Sequence, residues 1–465
     1  MDKKRLICFF LIHFNIKQYM NRDNIDFNND KVSAIFRKLL IPTLLGALSI
    51  CAVTAIDGIF IGHGVGEIGV AAVNIIVPIY QIMAGFGLMV GVGCSVATSI
   101  HLSKNKITAA KLNVTQAIGV ASIIVAIIAL MLIIFPGFFG KALGASPTLL
   151  PQVKDYIIWI MPSFVFQMWS MIGLFVIRLD GSPKYAMWCN IIPASLNVLL
   201  DWVFIFPLGM GVKGAAIATS ISIIFGGLMA IYYLLFAYKN IGLTWLKWSK
   251  KSIMLSLRNF GYHCKIGSST LLGELTLAVL IFTGNLVFMH YLGDAGVGAY
   301  GIACYYMPFF FMVGNAIAQS AQPIISFNYG IERWKEIKDA RRLLLIYSLI
   351  GGAIVAALFL FFPKELVLLF VDANSQAGEI AIKGFPYLAS GIIFFILNVA
   401  IIGYYQSIEQ IKQATLLVLL RGFIVLIPCF ILLPMLFGEV GMWIAMPVAE
   451  FITLGVVAVK RVFSC

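Results

Sequence analysis

Two aspartates sit where the chain is otherwise oily. Asp57 falls in the first strongly apolar stretch, and Asp201 falls in NIIPASLNVLLDWVFIF, residues 190–206. Asn197 precedes Asp201 by four residues, so on a helix the two share one face. A carboxylate inside a bilayer costs at least ~2.5–3.5 kcal/mol on insertion scales. It is retained where it faces a cavity, a partner or an ion. Thr219, in the next apolar stretch and at a similar depth, adds a fourth oxygen. Four oxygen-bearing side chains suit a proton or a hard cation such as Na+. Two carboxylates sharing a poorly solvated site repel each other, and one bound proton or Na+ relieves that repulsion.

A second set of charges lies in the later half. Glu274 and Glu450 are the other acids clearly inside apolar spans, and Arg421 is the one base there. Glu274 and Arg421 fall at similar depth, which invites pairing. The set therefore reads either as a structural Glu–Arg pair or as a coupling or substrate contact through Glu274. Pro42 opens the first span, as an ordinary helix start or as a site of bending within it. The eight cysteines are scattered singly, with no CxxC, and read as small apolar packing residues. No nucleophile–base set or cofactor motif is visible, so an enzyme is not expected. The glycines of 85–93 lack the preceding strand that a dinucleotide loop requires, and read as close helix packing.

These residues need a membrane frame. Of 465 residues, 61% are hydrophobic and 11% are charged, well below the charge of a soluble domain. About 20 apolar residues cross a bilayer as a helix. Twelve such spans are predicted, at roughly 39–61, 69–100, 114–135, 156–177, 185–206, 214–236, 266–290, 299–322, 342–362, 381–404, 413–434 and 440–459. The formal net charge of +13 is distributed by side. Only Lys141, Lys154, Lys213, Lys364 and Lys383 fall outside if the N-terminus is cytoplasmic, and nearly all other Lys and Arg fall inside. This places both termini in the cytoplasm of a multi-pass inner-membrane protein. It also makes the bilayer, and not nucleic acid, the partner of the positive charge. Residues 1–38 read as a cytoplasmic tail. Its leader-like start lacks a small-residue cleavage site, and Met20 before a polar stretch suggests that the first nineteen residues are an over-long start.

The chain repeats itself at a shift of 227 residues. Gly66, Gly69 and Val70 fall on Gly293, Gly296 and Val297; Phe135-Pro136 falls on Phe362-Pro363; Pro207, Gly211 and Gly214 fall on Pro434, Gly438 and Gly441. Six spans per copy give both copies the same orientation, about an axis along the membrane normal. The expected organisation is an N-terminal lobe at 39–236, a polar cytoplasmic linker loop at 237–265 and a C-terminal lobe at 266–465. The acids are not repeated, since Asp57 falls on Gly284 and Asp201 on Pro428.

At this point the chain resembles the MATE (multidrug and toxic compound extrusion) transporters. The matching segments are IPTLLG at 41–46, DGIFIG at 57–62, GVGEIGVAAVNIIVPI at 64–79 and LNVLLDWVFIFPLGMGVKGAAIAT at 196–219. AIAQSAQPIISFNYG at 316–330 is similar to the DinF/MepA-like branch. The resemblance implies an all-α integral membrane fold, with twelve helices in two pseudo-symmetric six-helix bundles around a V-shaped cavity. It implies H+- or Na+-coupled export of amphipathic, often cationic drugs and dyes by alternating access, and hence antibiotic resistance, without a cofactor. The family's N-lobe site falls on Asp57, Asn197, Asp201 and Thr219, and its helix-one bend falls on Pro42. A helix-seven glutamate of some relatives falls on Glu274, but helix ten here offers Asn398 in place of their aspartate. The alternative is a lipid-linked oligosaccharide flippase of the same superfamily. That activity would call for bases lining the cavity, where only Arg421 is present. A monomer is expected.

Overall fold

The computed structural model describes residues 25–65, 67–143, 145–246 and 249–462. Among them every long element is a helix. Eleven runs are long and apolar enough to cross a membrane. In order these are α1 (Val32–Val65), α2 (Glu67–Ser103), α3 (Ile107–Ile134), α4 (Leu150–Leu179), α5 (Pro183–Ile205), α6 (Gly211–Ala237), α7 (Lys250–Gly293), α8 (Ala295–Gly330), α9 (Trp334–Phe361) and α10 (Gln376–Ser407), followed by one long run, Ile411–Val457. That last run breaks at Gly438, whose φ of 57° and ψ of −132° are not helical. The break separates α11 (411–437) from α12 (439–462), giving the expected twelve.

The repeat is visible in the backbone. Gly211 and Gly438 both adopt positive φ, 58° and 57°, a conformation that glycine reaches without a Cβ penalty. Phe135 (φ −118°, ψ 47°) and Phe362 (φ −126°, ψ 41°) each end a span, and each is followed by proline as the first residue of a short helix. Proline there gives up an N–H that a first turn leaves unpaired anyway. Gly66, the counterpart of Gly293, lies outside the described residues.

Two large buried clusters form. One gathers residues of α2–α6, including Ile76, Val125, Met168 and Ala216; the other gathers residues of α7–α12, including Phe288, Phe310, Phe385 and Trp443. The first turns of α1 belong to the second cluster, through Ile35, Phe36, Leu39 and Leu40. Farther along, Ile61 packs with Ile205 and Ala215 of the first bundle. Helix α1 thus passes from one bundle to the other, and Pro42 lies at the crossing, inside the helix. The reading of Pro42 as a mere helix start is corrected by this, because α1 begins at Val32.

The segment expected as a loop at 237–265 is helical from Lys250 onward. Asp180, between α4 and α5, ties down the start of that segment. Its carboxylate accepts hydrogen bonds from the N–H groups of Lys239, Asn240 and Ile241 and from the Tyr233 hydroxyl. Burial pushes the Asp180 carboxyl up from its ordinary value, against the pull of these bonds. Of the expected tail, residues 1–24 lie outside the described residues. Residues 25–31 form a strap across the seam between the bundles. Ile25 lies against Gly181, the Phe27 ring stacks on Phe327 at 5.5 Å, and Arg333 donates to the Asn28 carbonyl at 3.1 Å.

The bundles are joined on the strap's side of the molecule. Arg178 donates to Gln319 (2.6 Å), Asn259 donates to Gln116 (2.8 Å), and His263 Nε2 pairs with Asn113 Oδ1 (3.2 Å). Helices α2 and α7 touch backbone to backbone here. A Cβ on Gly93 would strike the His263 carbonyl, and one on Gly267 would strike that of Met89. At the opposite end no hydrogen bond joins the bundles among the described residues.

Candidate functional site

The acid pocket is assembled by the contact of α1 with α5. Gly46 lies against Asn190, and Gly64 lies against Ile205. Small residues at these points let the helices run side by side in the same direction. Asp57 and Asp201 stand equally far beyond the first of these contacts, so they meet at one level. Pro193, one turn before Asn197, removes one helical hydrogen bond just below the site.

Asp201 is fully buried, Asn197 is 6% exposed, and Asp57 and Thr219 are half-buried. The two carboxyls face each other closely enough to interact. Asn197 Nδ2 reaches Thr219 Oγ1 at 3.4 Å, and the Asn197 side chain also interacts with Asp201. The structure therefore brings all four sequence-predicted residues together. Both Asp201 oxygens and Oδ1 of Asp57 are buried without a hydrogen-bond donor. Buried polar atoms are almost always paired, and an unpaired buried carboxylate is among the costliest groups a fold can hold. Three acceptor oxygens converging without a donor make a receptor for a cation or a proton.

Two residues of this pocket escaped the sequence reading. Tyr80 of α2 lies within electrostatic range of Asp57, and Tyr156 of α4 within range of both aspartates. Tyr156 is 6% exposed. The available signal was a single tyrosine in each of the apolar spans 69–100 and 156–177, and attention to acids alone passes over it.

The later charges are arranged otherwise than their depths suggested. Arg421 does not pair with Glu274. Its Nε and Nη2 both donate to Oε1 of Glu450, at 3.0 and 2.7 Å, and its guanidinium lies over the Phe395 ring at 4.2 Å. Asn398 donates to the other Glu450 oxygen at 2.7 Å and to the Glu450 carbonyl at 2.9 Å. It is thus engaged with α12 and does not face Glu274. Glu274 instead accepts from Gln81 of α2 at 2.7 Å, joining the two bundles near mid-span. Gln81 was missed for the same reason as the tyrosines: it carries no charge. No cluster of three or more His, Cys, Asp or Glu residues fit to hold a metal ion occurs among the described residues.

Comparison with known proteins adds the following. The MatE family model matches residues 42–203 and again residues 270–431, one match per repeat. The multidrug export protein MepA of Staphylococcus haemolyticus (strain JCSC1435) is 24% identical over 433 residues, covering 90% of this chain and 91% of that protein. A structure of the MATE multidrug transporter DinF-BH superposes with a TM-score of 0.80 at 28% identity, covering 92% of this chain and 95% of that one. An outward-facing multidrug resistance MATE transporter of the MOP superfamily superposes with a TM-score of 0.84 at 19% identity, covering 92% and 94%.

Proposed function

The chain belongs to the MatE family, and from that premise we propose that it exports small amphipathic or cationic compounds, drugs and dyes among them, by antiport of H+ or Na+. It is a multi-pass membrane protein. The observation that carries the proposal is the set of buried, donorless oxygens on Asp57 and Asp201. In this reading an incoming cation or proton occupies them, together with the Asn197 side chain and the Thr219 hydroxyl, and cancels the repulsion of the pair. Antiport then requires that the ion bind one state of the transporter more tightly than the other.

With both termini in the cytoplasm, as the Lys/Arg bias implies, the acid pocket lies toward the outer side, at the end where no hydrogen bond joins the bundles among the described residues. The hydrogen-bonded seam and the Gly93/Gly267 contact then close the cytoplasmic side. In this reading the bundles are held together on the cytoplasmic side, and the buried ion site lies toward the outer side, from which an antiporter takes its incoming ion. We assign α2–α6 with the later part of α1 to one lobe, α7–α12 from Lys250 to the other and Pro42 to the bend of α1 between them, and we read the protein as a monomer in the inner membrane. A flippase for lipid-linked oligosaccharides needs free bases for its pyrophosphate, and Arg421 is already held by Glu450.

The proposal is tested in proteoliposomes. A proton gradient and a sodium gradient, imposed separately, are each asked to drive efflux of a cationic dye. Efflux driven by at least one of them is expected; dye movement indifferent to both would overturn antiport.

A further inference from the structure

A cavity of about 230 Å³ opens on the face of the second bundle, between α9, α10 and α12. Its long walls are leucines, chiefly Leu345, Leu349, Leu397 and Leu454; its polar lining is Arg341 and Tyr404. Leu349 is 47% exposed, so the cavity communicates with the surface that meets lipid. From Arg341 to Leu349 it runs about 12 Å along α9. Arg341 lies near the start of α9, and Tyr404 near the end of α10. The polar mouth is therefore on the side of the bundle where the strap lies, and the leucines reach toward mid-membrane.

An apolar hollow of this size does not hold water well, and a close-packed fold leaves few such voids. A hydrocarbon chain suits it. The guanidinium at the mouth sits over the Tyr404 ring at 5.8 Å, which fixes it without neutralising it. No acidic side chain pairs with Arg341 among the described residues. Lys338 stands one turn nearer the helix start on the same face. Trp334, 55% exposed, marks the interfacial layer one further turn out. A free, fixed cation beside a chain-sized groove is complementary to a phosphate ester carrying an acyl chain.

We propose that this groove binds an anionic glycerophospholipid, with its phosphate at Arg341 and Lys338 and one acyl chain along the leucines. The proposal rests on the membrane-spanning reading of the helices and not on drug export.

The test uses the full-length protein in mixed micelles of dioleoyl-phosphatidylglycerol and dioleoyl-phosphatidylcholine, with retained lipid counted by native mass spectrometry. The wild type is expected to retain phosphatidylglycerol in preference. Arg341→Gln removes the cation, and Leu345→Trp fills the groove while sparing Arg341. The first is expected to lower that preference about fivefold, the effect of one basic side chain on anionic lipid, and the second to remove the groove-bound phosphatidylglycerol and with it the preference. Arg341→Lys is expected to keep most of it. Equal retention of the two lipids by the wild type, an unchanged preference in either Arg341→Gln or Leu345→Trp, or displacement by inorganic phosphate alone would each overturn the proposal.

Discussion

Asp57 and Asp201 are held close together with three of their oxygens lacking donors, an arrangement that stability alone disfavours. Replacing Asp201 with Asn removes a buried charge and keeps the shape. The expected outcome is loss of ion-driven efflux to the level of empty liposomes, with a thermal unfolding midpoint in detergent that is unchanged or raised; a lowered midpoint with normal efflux would contradict this. Arg421 and Glu450 show the opposite logic. They are buried, mutually bonded and supported by Asn398. Arg421→Met leaves Glu450 uncompensated and is expected to destabilise by about 3–5 kcal/mol, while Arg421→Met with Glu450→Gln recovers most of that, as a double-mutant cycle in unfolding midpoints will show. The acids were legible in the sequence because charge in an oily span is rare. Their partners were less so: depth along a helix predicted Glu274 with Arg421, but which face of α11 turns toward α12 depends on packing that depth does not encode.

Helices α1, α2 and α7 carry the consequences at the next scale. The contact of Gly93 with the His263 backbone, and of Gly267 with that of Met89, leaves no room for a side chain. Gly93→Leu is expected to hold the bundles apart at the strap's end, lengthening spin-label distances across the seam between α3 and α8; unchanged distances would show that the contact does not set closure. The sequence marked α2 as a close-packing helix through its glycines, but did not reveal that the partner is α7 of the other bundle. The strap was not anticipated at all, since MNRDNIDFNNDK has the composition of a free tail. Within it, the Asn28 N–H and the Asn29 amide hydrogen-bond to the Asp26 carboxylate and hold its pKa below the ordinary 3.8. A lowered folded-state value means that this support is present above the ordinary carboxyl range and is lost as pH falls through the folded value. Limited pepsin cleavage of residues 25–31 is therefore expected to accelerate as pH drops below 3.8 more in the wild type than in Asp26→Asn; identical profiles would contradict it.

For the whole molecule, the twelve spans and the twofold repeat were legible because bilayer thickness imposes length and apolarity on each helix, and because glycine and proline mark the repeat where the backbone must break. The positive φ at Gly438 marks the break between α11 and α12, which by length and apolarity run together as one stretch. What the linear chain concealed is how the bundles share elements, with α1 rooted in one core and ending in the other. That crossing joins the acid pocket to the core of the second bundle through a single helix. The most direct test is gradient-driven dye efflux from proteoliposomes containing the wild type or the Asp57→Asn, Asp201→Asn double variant, each shown to be folded and inserted. The account predicts that the imposed ion gradient drives efflux in the wild type and has no effect in the double variant. Wild-type rates in the double variant under the same gradient would contradict it.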